Sequence, residues 1–226
     1  DGTIVVGNSN FGSGEESGVA AVRWTENGQI HGLGWLEGRE RPGNDTATAA
    51  SYNGSVIVGS ALSSTDKFQA FHWTEDTGMV ALPTLAAYSA KQNTATATDI
   101  SWDGSIVAGH SLQGYQNQAV QWVDGEIFSL GGLGGSSSSL SKAFGISGNG
   151  QVIVGEVYGD GGRNNGFRWA KDGGMLTVED WLRASGATIE SEGPGENRST
   201  ITASADATNE DGSVIVGLTQ IGRAHV

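Results

Sequence analysis

The histidines are the side chains best suited to proton transfer or metal binding near neutral pH. There are four: His31, His72, His110 and His225. No two stand at a ligand spacing such as His-x3-His, and the chain has no Cys. Neither a zinc site nor a disulfide framework is therefore predicted. His72 precedes Trp73, whereas Arg23, Gln121 and Arg168 precede Trp24, Trp122 and Trp169. That variability predicts an exposed strand face rather than catalysis. Serine is abundant, yet no Gly-x-Ser-x-Gly elbow with a matching acid and base is present. The run Gly131–Gly132–Leu133–Gly134–Gly135–Ser136 resembles a phosphate loop only superficially, because it lacks the P-loop Lys and no helix pattern follows. Glu179 and Asp180 are adjacent, and adjacent residues on a helix do not face each other. They suit a helix N-terminus better than an acid/base pair. The loop Tyr158–Gly159–Asp160–Gly161–Gly162 and the pair Glu15–Glu16 offer oxygens to Ca²⁺ but lack Asp-x-Asp spacing and a closing Glu. The sequence thus predicts no catalytic residue, no cofactor site and no metal site.

What organises the chain is a repeat. The segments DGTIVVG, NGSVIVG, DGSIVAG, NGQVIVG and DGSVIVG begin at residues 1, 53, 103, 149 and 211. A second element carries the tryptophans: AVRWT (21–25), AFHWT (70–74), AVQWV (119–123) and GFRWA (166–170). A third reads LGWL (33–36), LPTL (82–85) and LGGL (130–133). A fourth is rich in small residues: TATAAS (46–51), TATDIS (96–101), KAFGIS (142–147) and TASADATN (202–209). Ordered elements at a period of about 50 residues indicate a repeat architecture.

Each unit reads as four short strands. Asn-Gly or Asp-Gly before the apolar run predicts a two-residue type I′ hairpin turn. Ile100–Ser101 should then pair with Ser105–Val107, and Ile146–Ser147 with Gln151–Val154. Further turns are predicted at Asn27–Gly28, Thr77–Gly78, Asp124–Gly125 and Asp172–Gly174. Continuous β-branched runs such as Val56–Ile57–Val58 suit strands buried on both faces. Stacked four-stranded units of this period predict an all-β fold, a β-propeller of about four to five blades. A β-solenoid is the alternative, but its coils are shorter and lack two hairpins per unit. Gly7, Gly59, Gly109, Gly155 and Gly217 are expected at a crowded centre, and Trp24, Trp73, Trp122 and Trp169 between blades. The inner-strand positions are read as Val, Ile, Ala and Gly. The fourth unit is longer. It predicts one short helix near 179–184, stopped at Gly186, then a polar loop around Gly193–Pro194–Gly195. This insertion is expected to cap the last blade rather than to form a binding site.

The formal net charge is -13 with a pI near 4.5, from 12 basic and 25 acidic residues. No basic face is available for nucleic acid, and an anionic membrane surface would repel the chain. No window is apolar for long enough to insert in a membrane as a helix. A monomer with an acidic surface is expected. Residues 1–220 form a single repeat domain, with units at about 1–52, 53–102, 103–148 and 149–210 and a partial one at 211–220. Both ends fall in mid-pattern. Residues 221–226, Ile-Gly-Arg-Ala-His-Val, read like a translated sequencing adapter and are expected to be a non-native tail.

The repeat resembles the HAF-type extracellular repeats. Those combine an Ala-Phe-x-Trp strand, a Gly-Met turn, a Leu-Gly-x-Leu-Gly-Gly segment, a Ser/Ala strand and an Asx-Gly-x-Val-Val-Gly run. The best copy runs from Gln118 to Gly155, and Gln69–Trp73 with Gly78–Val80 matches as well. Gln69, Gln118 and Asn165 stand where the His of the family's name would be. The extended fourth unit is similar to the last repeat of some bacterial autotransporter passengers. These resemblances imply an extracellular or cell-surface module with a binding or structural role, an unknown surface ligand or protein partner, and no enzyme activity. The alternative is a propeller hydrolase or lyase with an axial active site.

Overall fold

The computed structural model describes residues 2–12, 17–41, 43–85, 93–135, 140–159, 163–188 and 202–219. Its strands form five antiparallel sheets in chain order. Sheet 1 contains β1 (Ile4–Phe11), β2 (Gly18–Thr25) and β3 (Ile30–Gly32). Sheet 2 contains β4 (Thr46–Ala50), β5 (Ile57–Leu62), β6 (Phe68–Thr74) and β7 (Gly78–Ala81). Sheet 3 contains β8 (Ala95–Ile100), β9 (Ile106–Gln113), β10 (Gln116–Val123) and β11 (Glu126–Ser129). Sheet 4 contains β12 (Ser141–Ile146), β13 (Val152–Gly159), β14 (Arg163–Ala170) and β15 (Gly174–Thr177). Helix α1 (Val178–Ala184) follows, and sheet 5 pairs β16 (Thr202–Thr208) with β17 (Ile215–Thr219). Each sheet from the second onward begins with the small-residue strand, so the sheets straddle the units counted from the Asx-Gly turns.

Those turns differ from the type I′ expectation. The Ser51 amide donates to the Val56 carbonyl (2.9 Å), and the Val56 amide donates to Ser51 Oγ (3.0 Å). Gly54 N donates to the Ser51 carbonyl (2.8 Å), which makes a four-residue loop with Gly54 at φ 69°. Asn53 stays out of the left-handed region, because its side chain accepts the Ser55 amide (3.0 Å) in an Asx turn. Ser101, Ser147 and Asn209 build the same loop. Only Asp124–Gly125, with φ 52° and 80°, has positive φ at both residues of an Asx-Gly pair among the described residues, as type I′ requires.

The first strand of sheets 2 to 5 carries a bulge at the same place, at Thr48, Thr98, Phe144 and Asp206. The partner strand answers with glycine. A Cβ on Gly59, Gly109, Gly155 or Gly217 would overlap the carbonyl oxygen of Thr46, Thr96, Lys142 or Ser204. The glycine is therefore a requirement of close backbone approach. In sheet 1, Gly7 packs instead against the Trp24 ring.

Successive sheets stack face to face, and the core lies between them. Ala21, Leu33 and Leu36 of sheet 1 meet Ile57, Phe71 and Trp73 of sheet 2. Val58, Ala70 and Leu82 meet Ile100, Val107 and Trp122 in the next junction. Ala108, Ala119 and Leu130 then meet Ile153, Phe167 and Met175. The last junction joins Val152 and Val154 to Ala205 and to Val178 of α1, with Trp181 and Leu182 packed against them. The loops Leu33–Leu36, Leu82–Leu85 and Leu130–Leu133 thus plug the gaps between sheets. Helix α1 is capped by Thr177, whose hydroxyl accepts the Asp180 amide (3.0 Å), and closed by Gly186 at φ 86°. Glu179 is buried and accepts the Thr202 amide (2.6 Å), tying the helix to β16.

Candidate functional site

The first strands of successive sheets contact one another, β4 with β8, β8 with β12 and β12 with β16. They form the inner edge of the arc. The innermost positions are therefore mostly Thr, Ala, Ser, Lys and Asp, with Phe144 and Gly145 on β12, not the Val, Ile, Ala and Gly read from the sequence. The apolar run lies one strand further out, where it is covered on both faces. Thr48 and Thr98, at the bulges, donate to the carbonyls of Ala97 (2.9 Å) and Ala143 (3.1 Å) on the next inner strand.

One residue past the repeat glycine, the second strands carry Asn8, Ser60, His110 and Glu156. The facing first strands carry Thr46, Thr96, Lys142 and Ser204. Asn8 Nδ2 donates to Thr46 Oγ1 (3.1 Å) across the first junction. At the third junction the ionisable residues gather. Lys142 Nζ lies 3.5 Å from Glu156 Oε1, and Asn164 Nδ2 donates to Glu156 Oε2 (3.0 Å). Burial, with the Lys142 charge, pushes the His110 pKa down to about 4. Its Nδ1 is buried and has no hydrogen-bond partner among the described residues. A neutral imidazole this weakly basic is a poor general base near pH 7, and Lys142 is engaged by Glu156. The seam can bind better than it can move protons.

Asp99 replaces the Ala49, Gly145 and Ala207 of the other inner strands. Its oxygens accept the amides of Ile100 (2.8 Å) and, in the next sheet, Ile146 (2.9 Å). Burial raises its pKa, and those two amides partly offset the rise. Asp45 is buried likewise and accepts the amides of Leu62 (2.9 Å) and Gly43 (3.3 Å). These carboxylates are staples.

His72 does not stand on an exposed face. It is half-buried, burial lowers its pKa, and it lines a cavity of about 200 Å³ with Leu82, Ser105, Trp122 and Asp124. The reason is its place in the repeat. At the equivalent positions Arg23 stacks 4.7 Å from the Trp73 ring centroid and Arg168 lies 5.0 Å from that of Trp181. At these three positions the residue before the Trp thus points into the next junction, and the shorter His72 leaves space there. His31 is exposed on β3. Trp73 and Trp122 are buried between sheets, Trp169 is half-buried there, and Trp24 is half-buried on the outer face of sheet 1. Asp180 pairs with Arg183 on the helix surface (2.9 Å). Glu15, Glu16, Ser136, Asp160, Gly161, Gly162, the loop at 193–195 and the tail at 221–226 lie outside the described residues. Among the described residues no group of three or more His, Asp or Glu is placed to hold a metal.

One exposed feature that breaks the repeat lies on the turn rim. The residue before the turn's Asx, following Ser51, Ser101, Ser147 and Asn209, is Tyr52, Trp102, Gly148 and Glu210 in the four described turns. The turns are laced side by side: Tyr52 N donates to Trp102 O (2.8 Å), Trp102 N to Gly148 O (2.9 Å), and Asn149 N to Glu210 O (2.9 Å). The Tyr52 and Trp102 rings are 5.5 Å apart at 40°, and the residues are 56% and 47% exposed. Together they form an aromatic shelf. Its sequence signal, two aromatics at a turn position with no core role, is weak because Gly148 and Glu210 stand at the equivalent positions.

No family model and no curated protein matches the chain. Among solved structures it is similar to a chain assigned as TolB from Agrobacterium tumefaciens, with TM-score 0.54 and 14% identity. That match covers 78% of this chain and 61% of the other. TolB from Acinetobacter baumannii matches with TM-score 0.51 and 12% identity, over 77% of this chain and 43% of the other. The fold is a β-propeller. The five sheets are its blades, and the chain spans about half the length of these structural neighbours. No helix among the described residues is long and apolar enough to cross a membrane.

Proposed function

We propose that this chain is the propeller module of an exported bacterial protein, displayed at the cell surface or released as an autotransporter-type passenger. It binds a surface ligand or protein partner and carries out no catalysis. The observation that carries the binding role is the Tyr52–Trp102 shelf. Exposed, amphipathic rings on a rigid scaffold give contact area at low entropic cost. The HAF-type residues of the repeat support export. The buried acids Asp99, on an inner strand, and Asp45, just before one, support a non-catalytic reading, because their oxygens are engaged by backbone amides. The rival reading, an axial hydrolase or lyase, has one observation in its favour, the His110–Lys142–Glu156 seam.

A glycan and peptide array probed with wild type, Trp102→Ala and His110→Ala tests this. Binding lost in Trp102→Ala, with melting temperature kept, supports the shelf. Binding unaffected by Trp102→Ala, or turnover of a probe that His110→Ala abolishes, contradicts it. Antibody labelling of intact producing cells tests export; a chain reachable only after lysis contradicts it.

A further inference from the structure

The junction between sheets 1 and 2 shows what the junction between sheets 2 and 3 lacks. In the first, Arg23 lays its guanidinium 4.7 Å from the Trp73 ring centroid and places Nη2 3.5 Å from Glu75 Oε2. Cation, ring and carboxylate form one set. The ring attracts the planar cation through its π face, and the carboxylate accepts its N–H donors. Register builds the set: Arg23 stands one residue before Trp24, and Glu75 is the first residue after β6, two beyond Trp73.

In the second junction the same positions hold His72, Trp122 and Asp124. Asp124 is the first residue after β10, as Glu75 is after β6. The ring and the acid are thus present, and the arginine is replaced. His72 is too short to fill the place of a guanidinium, and a cavity of about 200 Å³ opens there, bordered by all three residues. Burial pushes the His72 pKa below its ordinary value, so near pH 7 the imidazole is neutral and brings no charge to Asp124. Among the described residues no Lys or Arg lines the cavity and none pairs with Asp124. In the third junction Gln121 and Lys171 stand at the matching positions, so both the arginine and the acid are gone. Of the three junctions, only the second has the acid without its arginine.

We infer that this cavity is a second binding site, which takes the guanidinium of an arginine side chain from a partner polypeptide in the place that Arg23 fills one junction earlier. Its size argues for the tip of a side chain, because pockets for whole small molecules run at about 300–1,000 Å³. The net charge of -13 favours a cationic partner at long range. Arginine is also one of the residues that most often anchor interfaces. The site needs nothing from the Tyr52–Trp102 shelf.

NMR titration of the full chain tests this through two signals, the His72 imidazole and the Trp122 Nε1–H, which is held by the Pro83 carbonyl (2.8 Å). The probes are end-blocked Gly-Gly-Arg-Gly-Gly, the same peptide with neutral citrulline for arginine, and methylguanidinium. Both signals should move with the arginine peptide and stay still with the citrulline peptide. Asp124→Asn should weaken binding several-fold. His72→Arg supplies the guanidinium from within and should abolish binding. No movement with the arginine peptide, equal movement with citrulline, full-strength binding by Asp124→Asn, or binding retained by folded His72→Arg would each overturn the inference. The peptide should bind at least as tightly as methylguanidinium; tighter binding of the small ion would overturn the polypeptide source, because the cavity would then exclude the chain that carries the arginine.

Discussion

Truncating one tryptophan at two equivalent repeat positions separates junction packing from local strand stability. Trp122 is 2% exposed between blades 2 and 3, and its Nε1 donates to the Pro83 carbonyl (2.8 Å). A Trp side chain removes roughly 200 Å² from water. At about 25 cal/mol per Å² this gives ~5 kcal/mol as an upper bound. The uncovered Pro83 carbonyl adds about 1 kcal/mol, and relaxation of Leu82, Val107 and Ile127 around the cavity takes some of it back. Trp122→Ala should therefore cost ~3–5 kcal/mol. Trp24 has the same strand neighbours but is half-buried, with no sheet among the described residues against its outer face, so Trp24→Ala should cost less than ~2 kcal/mol. Urea unfolding followed by circular dichroism, at dilute protein, reads both. Equal losses in the two variants would refute the reasoning, since it assigns the difference wholly to the neighbouring blade.

Other outcomes follow from the same geometry. Gly109→Ala forces a methyl into the Thr96 carbonyl and the Trp122 ring and should cost at least ~1–3 kcal/mol. Gly32→Ala, with open space and no left-handed φ, should be neutral or stabilising by about 0.4–1 kcal/mol; unfolding curves check both. Asp99→Leu leaves the Ile146 amide without its acceptor and should lose about 1–3 kcal/mol, whereas Asp99→Asn keeps an acceptor and should lose less. His110 is held neutral with a pKa of about 4, against 6.5 when unfolded. The unfolded chain then binds the extra proton first, so this residue's contribution is present above pH 6.5 and is lost as pH falls toward 4. Between those values the stability of His110→Gln should vary less with pH than that of wild type, and an imidazole that titrates near 6.5 by NMR would contradict this.

The repeat made most of the fold legible. Four-stranded antiparallel sheets, the Trp strands and the short helix all follow from periodicity and turn residues. Helix α1 extends only one residue before its expected start. What the sequence did not reveal depended on which strand lies innermost. The apolar runs looked central because they are buried on both faces, yet a strand one place out from the inner edge is buried just as fully. The true inner strands are rich in Ala, Thr and Ser, small residues that fit where backbones converge, and this hid Asp99 and the Lys142 seam. The turn type differs from the type I′ expectation because Asn-Gly favours that turn only where the flanking residues let the strands pair directly. Here Ser51 and Asn53 cap the loop with their own side chains. His72 looked like a surface residue because its equivalents are polar, but Arg23 and Arg168 are polar residues laid over tryptophan rings.

The central claim is that the blades repeat one junction, with their Asx turns laced together at the rim. Because the chain has no Cys, a disulfide can be placed cleanly between Tyr52→Cys and Trp102→Cys. The Tyr52 amide donates to the Trp102 carbonyl (2.8 Å), which brings the two backbones within disulfide reach. Mild oxidation should close this pair readily and raise the melting temperature, whereas Tyr52→Cys with Phe128→Cys, on the outer strand β11, should not close. A Tyr52–Trp102 pair that stays reduced under the same conditions would contradict the stacked arrangement.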